Sequence, residues 1–227
     1  MDRIKTLKHL AMTRETTEVT VESGLSTPDR ILQAAEQLFS ERGIDAVSLR
    51  EITSAAGVNS AAAHYHFGSK EVVLAALFAA RARPIAERRE QLLGALKLDR
   101  HGRPKLEDVL YAFLQPALDA LNTPQGMVFT MLRARMAFER EEVRREALGN
   151  AFDRSSEMAL RALAQALPTL EPKELYWRFH FVLGGMVYTM ANPGRIESIT
   201  HGATDTTDAQ AALEHLVRFA AAGLRAS

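Results

Sequence analysis

The sequence predicts an all-α protein in which a small N-terminal helical domain and a larger C-terminal one share a long fourth helix. Three observations carry this. Apolar residues recur at spacings of three and four; helix caps, glycines and prolines punctuate the segments; and no useful length alternates with the period of two that a half-buried strand shows. With 227 residues the chain is long enough for two such units, each with a core.

The first helix is written in "TPDRILQAAEQLFSERG". Thr27 is expected to cap it and Pro28 to open it. Ile31, Leu32, Ala35, Leu38 and Phe39 form its apolar stripe, and Gly43 ends it. A short second helix follows, with Ser48 as cap, Glu51 completing a capping box, and Ile52 and Ala56 facing inward. Gly57 permits a sharp turn, and Asn59 caps a third helix from Ser60 to about His66. "GSKE" restarts the chain as a fourth helix, from about Lys70 through "VVLAALFAARAR". Two of these four helices are too short to stand alone and are joined by a tight turn. That is the helix-turn-helix arrangement, whose second helix can lie in a DNA major groove.

The domain boundaries follow. Residues 1–26 precede the signal, and their Thr and Glu content predicts an arm or a frayed helix; 27–74 form the helix-turn-helix domain and 75–227 the larger one. After Pro84, helical segments are expected at about 105–121, 127–148, 150–167, 172–191 and 207–225, separated by "GRP", "NTPQG", "LPTLEPKE" and "NPGR".

Composition narrows the function classes. Without cysteine there is no disulfide, thiolate nucleophile or cysteine-ligated metal centre. The start is broken by charges, and no later segment approaches the roughly 18 uncharged residues of a membrane span, so a cytoplasmic chain with no membrane contact is expected. The 28 basic residues balance 28 acidic ones. From Gly24 to Lys70, Arg30, Arg42, Arg50 and Lys70 face Asp29, Glu36, Glu41, Asp45 and Glu51, so any DNA binding here must come from placement rather than bulk charge. Arg81, Arg83, Arg88, Arg89, Lys97, Arg100 and Arg103 make a more basic run, either a patch or a solvated helical face. No "HExxH", glycine-rich phosphate cradle or "GxSxG" elbow is present, and the histidines are scattered. No catalysis, cofactor or metal is therefore expected.

From Thr27 to about Leu74 the chain resembles the DNA-binding domain of the TetR family of bacterial transcriptional regulators. The resemblance lies in the "A...LF...G" first helix, the turn at Ala56, Gly57 and Val58, and the "HYHF.SKE" junction. It implies that Ser60, Ala61 and Ala62 form the base-facing start of the recognition helix, small enough for close approach. Ser60 would meet a base edge and the alanine methyls those of thymine. His64 stands where the family commonly has a phosphate-contacting tyrosine, a departure that puts an ionisable ring there. Tyr65 would reach phosphate or pack on sugar, and His66 and Phe67 would anchor the junction. Ser48 and Lys70 match phosphate contacts, and Arg50 matches a position from which relatives reach base edges.

The C-terminal part resembles the family's ligand-binding and dimerisation domain more loosely. "LQPALD", "FHFVLGGMVYTMA" and "DAQAALEHLVRFAAAGL" are similar to fatty-acid-responsive members. Tyr111, Phe113, Phe129, Arg133, Met136, Trp177, His180 and Met186 are candidate pocket residues, as aromatics, methionines and possible polar anchors on expected inward faces. Each is also compatible with ordinary core. An inward Arg133 would need a partner, which a carboxylate ligand could supply, but spacing does not say whether Arg133 or Arg135 turns inward. The expected protein is a homodimeric repressor of a two-fold double-stranded DNA operator, released by a small apolar or amphipathic ligand such as a fatty acid or acyl-thioester. The alternative is a ligand-independent DNA-binding regulator whose C-terminal domain serves only dimerisation.

Overall fold

The computed structural model describes residues 24–136, 139–145, 147, 150–191 and 194–226, so residues 1–23 of the expected arm lie outside the described residues. Among the described residues the chain is helical, with no strand. The helices are α1 (Thr27–Arg42), α2 (Leu49–Ala55), α3 (Ser60–His66), α4 (Lys70–Gly94), α5 (Leu106–Asp119), α6 (Pro124–Arg135), α7 (Glu141–Arg144), α8 (Asn150–Ala166), α9 (Pro172–Ala191), α10 (Arg195–Ile199) and α11 (Ala209–Arg225). None of the described helices is long and apolar enough to cross a membrane.

Local sequence explains the N-terminal elements. Ser26, one residue before the expected Thr27, caps α1: its hydroxyl accepts from the Asp29 amide at 3.3 Å and donates to the Asp29 carboxylate at 2.6 Å. Ser48 and Glu51 form the expected reciprocal capping box on α2. At the turn, the Val58 amide bonds the Thr53 carbonyl at 3.0 Å and the Gly57 amide bonds the Ser54 carbonyl at 3.1 Å. This Schellman closure needs Gly57 in the left-handed region, at φ 61°. Ile31, Ala34, Ala35, Phe39, Ile44, Val47, Ile52, Ala56 and Ala63 are buried beneath the three helices.

The later boundaries differ from the expected ones. Pro84 does not end α4, which runs on for 25 residues. α6 begins at Pro124 with Thr123 as cap, so Gly126 lies inside its first turn, where a Cβ would collide with the Ala120 carbonyl. The segment expected over 127–148 is divided: α6 ends at Arg135 and a separate short α7 follows. The expected irregular loop after α9 contains α10.

Two sets of contacts tie α4 to the rest. At its N-terminal half, Arg81 grips Glu36 of α1 with Nε at 3.0 Å from both carboxylate oxygens and Nη2 at 2.5 Å from Oε2. Further along, α4 packs on α5 and α8, and Glu90 pairs with Arg154 at 3.0 Å. α6 also packs on α1, while α11 packs on α5 and α9. Arg178 of α9 closes the C-terminus of α11, donating from Nη1 to the carbonyls of Gly223, Leu224 and Ala226 at 3.2, 3.1 and 2.6 Å.

Glu36 is only 3% exposed, so its charge depends on Arg81. Arg81→Met should lower unfolding stability by about 1–3 kcal/mol in urea titration, because a buried carboxylate loses its donors. Adding Glu36→Leu to that variant should restore most of the loss; no recovery would show that the arginine acts through its aliphatic stem instead.

Candidate nucleic-acid interface

α3 is built to be pressed against something. Ala63 is its buried anchor, while Ser60, Ala61, His64, Tyr65 and His66 are exposed and Ala62 is partly covered. Tyr65 is 85% exposed, far beyond what a large aromatic gains from water, with only an edge contact to His66 at 5.2 Å between centroids. Phe67 is partly buried at the junction. The structure thus brings Ser60, Ala61, His64 and Tyr65 onto the exposed part of one short helix.

The flanking residues are more constrained than the sequence implied. Ser48 is exposed, but its hydroxyl donates to Glu51 at 2.7 Å and accepts from the Glu51 amide, so the proton offered to a phosphate is already engaged. Arg50 is exposed, and its side chain makes no hydrogen bond or ion pair among the described residues. Lys70 donates to the Ile44 carbonyl at 2.9 Å, holding the α1–α2 loop with one of its three hydrogens. His64 Nδ1 lies 3.1 Å from the Gly68 carbonyl and must donate to it. A neutral ring then offers phosphate only an acceptor at Nε2; the doubly protonated ring offers a donor. The acid excess of this region is partly cancelled inside the fold, Glu36 by Arg81 and Glu51 by Arg42 at 2.7 Å.

Of the expected pocket residues, Phe113, Phe129, Met136 and Met186 are buried and Tyr111 is partly buried. Arg133 turns inward: its Nη1 is buried and its Cζ lies 4.5 Å from the Phe152 ring centroid. Arg135 instead approaches α1, where a Cβ on Gly43 would lie 3.3 Å from its Nη1. The inward placement expected of Trp177 and His180 is not found. Both sit on the exposed side of α9, with Trp177 stacked on Phe181, because α9 is apolar on two sides and its own core takes Leu175, Phe179, Val182, Met186 and Met190. Sequence reasoning also assigned Arg89 to the basic run, whereas it is fully buried. The signal was its place on the stripe of Phe78, Ala82, Ile85 and Leu93, at helical spacing.

A short exposed helix held by a helix-turn-helix, on a long helix leading into a second helical body, defines a DNA-binding regulator with a separate C-terminal domain. Residues 31–77 match the model described as "Bacterial regulatory proteins, tetR family", and 111–223 match "Tetracyclin repressor-like, C-terminal domain". The chain belongs to the TetR family. It is 34% identical over 150 residues to the HTH-type transcriptional repressor BepR of Brucella suis biovar 1 (strain 1330), covering 65% of this chain and 66% of that protein. Over 104 residues it is 32% identical to the HTH-type transcriptional regulator TtgW of Pseudomonas putida, covering 46% and 69% of the two chains. The match to BepR therefore spans a little under two thirds of that relative. Among solved structures, the fatty acid degradation regulator FadR from Bacillus halodurans shares the fold, with a TM-score of 0.64, 16% identity and coverage of 91% of this chain and all of that one.

The Ser48–Glu51 box carries a pH signature. The Ser48 hydroxyl and amide and the Arg42 guanidinium hold the Glu51 carboxyl down to about 2, from an ordinary 4.5. A lowered pKa stabilises the fold above the ordinary value, and that contribution is lost as pH falls from 4.5 toward 2. Carboxyl-carbon NMR should place the Glu51 midpoint near 2, and Ser48→Ala should raise it; an ordinary midpoint in the wild type would mean that the box does not close in solution.

Proposed function

We propose that the protein is a dimeric, sequence-specific repressor that reads a two-fold operator through α3 and is released from it by an apolar or amphipathic small molecule held in its C-terminal domain. The carrying observation is α3 itself, whose small residues and Tyr65 face outward on a scaffold fixed by α1, α2 and α4. In this reading Ser60, Ala61 and Ala62 approach base edges, Tyr65, His64 and Lys70 meet the backbone, and Arg50 reaches a base. Ser48 contributes chiefly by fixing α2.

Dimerisation rests on α9 and α11. Trp177, Phe181, Gly184 and Tyr188 share one outer stripe of α9, with the aromatics 53%, 64% and 56% exposed, and Phe219 of α11 is 78% exposed. Such an aromatic face is costly in water and fits its own two-fold copy, with bare Gly184 admitting close approach. Two copies would place two α3 helices for half-sites about 34 Å apart or a multiple of it. The ligand classes that the sequence resemblance implies are fatty acids and acyl-thioesters.

DNA binding is tested by selecting duplexes from random sequence and titrating the winner against scrambled DNA at several salt concentrations. Lys70→Ala should weaken all duplexes alike and reduce the salt slope by about one ion per subunit, whereas Arg50→Ala should relax preference at particular base pairs. A wild type that prefers no duplex would end the reading.

Sedimentation should give about twice the 25.1 kDa chain mass, and Phe181→Glu should give monomers with weakened operator binding. A wild-type monomer at micromolar concentration would remove the two-fold geometry.

A further inference from the structure

Two arginines meet in the C-terminal interior without a counter-ion. Arg89, at the middle of α4, is 0% exposed. Its Nε donates to the Phe113 carbonyl at 2.7 Å and its Nη2 to the Met186 sulfur at 3.3 Å. Its Cζ lies 4.0 Å from the Phe113 ring centroid and 5.5 Å from that of Phe152. Nη1 is buried with no acceptor. Arg133, on α6, brings its own guanidinium to the same Phe152 ring, and its Nη1 is also buried with no acceptor. One turn earlier on α6, the buried Thr130 hydroxyl has no partner either.

What surrounds the two charges is soft and neutral: a carbonyl, a thioether and ring faces. No described carboxylate pairs with either arginine, and the neighbouring Glu90 is held by Arg154. Burial pushes Arg133 down to about 10, and burial together with the Arg133 charge pushes Arg89 down to about 9, so both stay protonated at neutral pH. Unpaired buried ions are expensive, and two of like sign around one ring more so.

We propose that Arg89 and Arg133 are the anchor of an anion-binding site, and that the ligand is an organic acid whose carboxylate bridges the two guanidiniums beside Phe152. The apolar body lies among Phe113, Met136, Phe179 and Met186, all buried. A two-oxygen head matches the two unsatisfied Nη1 atoms, whereas a phosphate, with more oxygens, would find too few free donors among apolar walls. The site prefers a free acid to a neutral head. This inference rests on reading the C-terminal domain as a ligand sensor, and it supplies that reading with a route. The anchor residues lie on α4 and α6, the two helices of the C-terminal body that pack on α1. Arg135, two residues past the anchor, sits against Gly43 where α1 ends.

The test uses the full chain with dodecanoate, 2-naphthoate, dodecan-1-ol and inorganic phosphate. Thermal shift and calorimetry read binding, and release of a selected duplex reads the switch. At least one acid should protect the wild type and bind about tenfold or more tightly than the alcohol. Arg89→Met and Arg133→Met should each weaken the acid about tenfold or more, leave the alcohol unchanged and, without ligand, unfold no earlier than wild type. Should Arg89→Met fail to fold, Arg133→Met decides alone. Protection by neither acid, equal affinity for acid and alcohol, or undiminished acid binding in Arg133→Met would each overturn the anchor, and protection by phosphate equal to that by the acids would overturn the apolar body. Acid binding that leaves DNA affinity unchanged would defeat the sensor and leave the anchor standing. Release of DNA by the alcohol alone would do the reverse.

Discussion

A seven-residue helix cannot hold itself together in water, and α3, on which any reading of DNA rests, is seven residues long. Its order must be imposed from outside. Asn59 accepts from the Ala61 amide at 3.0 Å at one end, the Phe67 amide returns to the Ala63 carbonyl at 2.8 Å at the other, and buried Ala63 is the one side chain it gives to the core. The Schellman turn at Gly57 fixes its start relative to α2. Because small residues leave the helix slim, its position depends on α1, α2 and the beginning of α4 rather than on its own packing. Anything that shifts α1 against α4 therefore shifts α3.

That dependence gives the Glu36–Arg81 clamp its place. It spans α1 and α4 a few turns beyond the recognition helix, with the carboxylate buried and the guanidinium partly wet. The geometry is bidentate, which holds angle as well as distance. On another side α1 is braced by α6, through packing that includes the approach of Arg135 to Gly43. The N-terminal domain is thus gripped by two helices rather than by α4 alone. A relative movement of α4 and α6 is a differential movement at α1.

How much of this could be read beforehand divides along a physical line. Elements specified by their own residues were legible: the box of Ser48 and Glu51, the turn at Gly57, the cap at Asn59 and the outward run from Ser60 to Tyr65. Features decided by a distant partner were not. The pattern has no glycine or proline between Arg135 and Arg145, so nothing local divides α6 from α7. α9 carries aromatics on opposite sides, and sequence alone does not say that Phe179 goes to the chain's own core while Phe181 stays exposed. Arg89 was hidden by its charge, since a guanidinium in a basic run reads as solvated even where its helical spacing points inward. Ser48 and Lys70 were legible as positions but not in chemistry, because the bonds to Glu51 and Ile44 that occupy them appear only in the fold.

The arginine pair also bears on how large a switch the fold can support. Turning a population from 99:1 to 1:99 takes about 5.5 kcal/mol of differential affinity. Hydrogen bonds to charged groups contribute about 1.5–3 kcal/mol each, so a carboxylate that satisfies one nitrogen on each guanidinium supplies an amount of that order. It does so only if the DNA-competent arrangement cannot make both contacts at once, since a ligand held equally by both arrangements shifts nothing. Placing the two guanidiniums on different helices meets that condition in a way that two on one helix would not. Arg89 rides on α4 and Arg133 on α6, so the distance between their unsatisfied nitrogens is itself a measure of how those helices stand against each other. A bridging head selects one value of that distance, and both helices bear on α1. The uncompensated charge that costs stability in the free protein is thereby the source of the differential affinity on which release from DNA would depend.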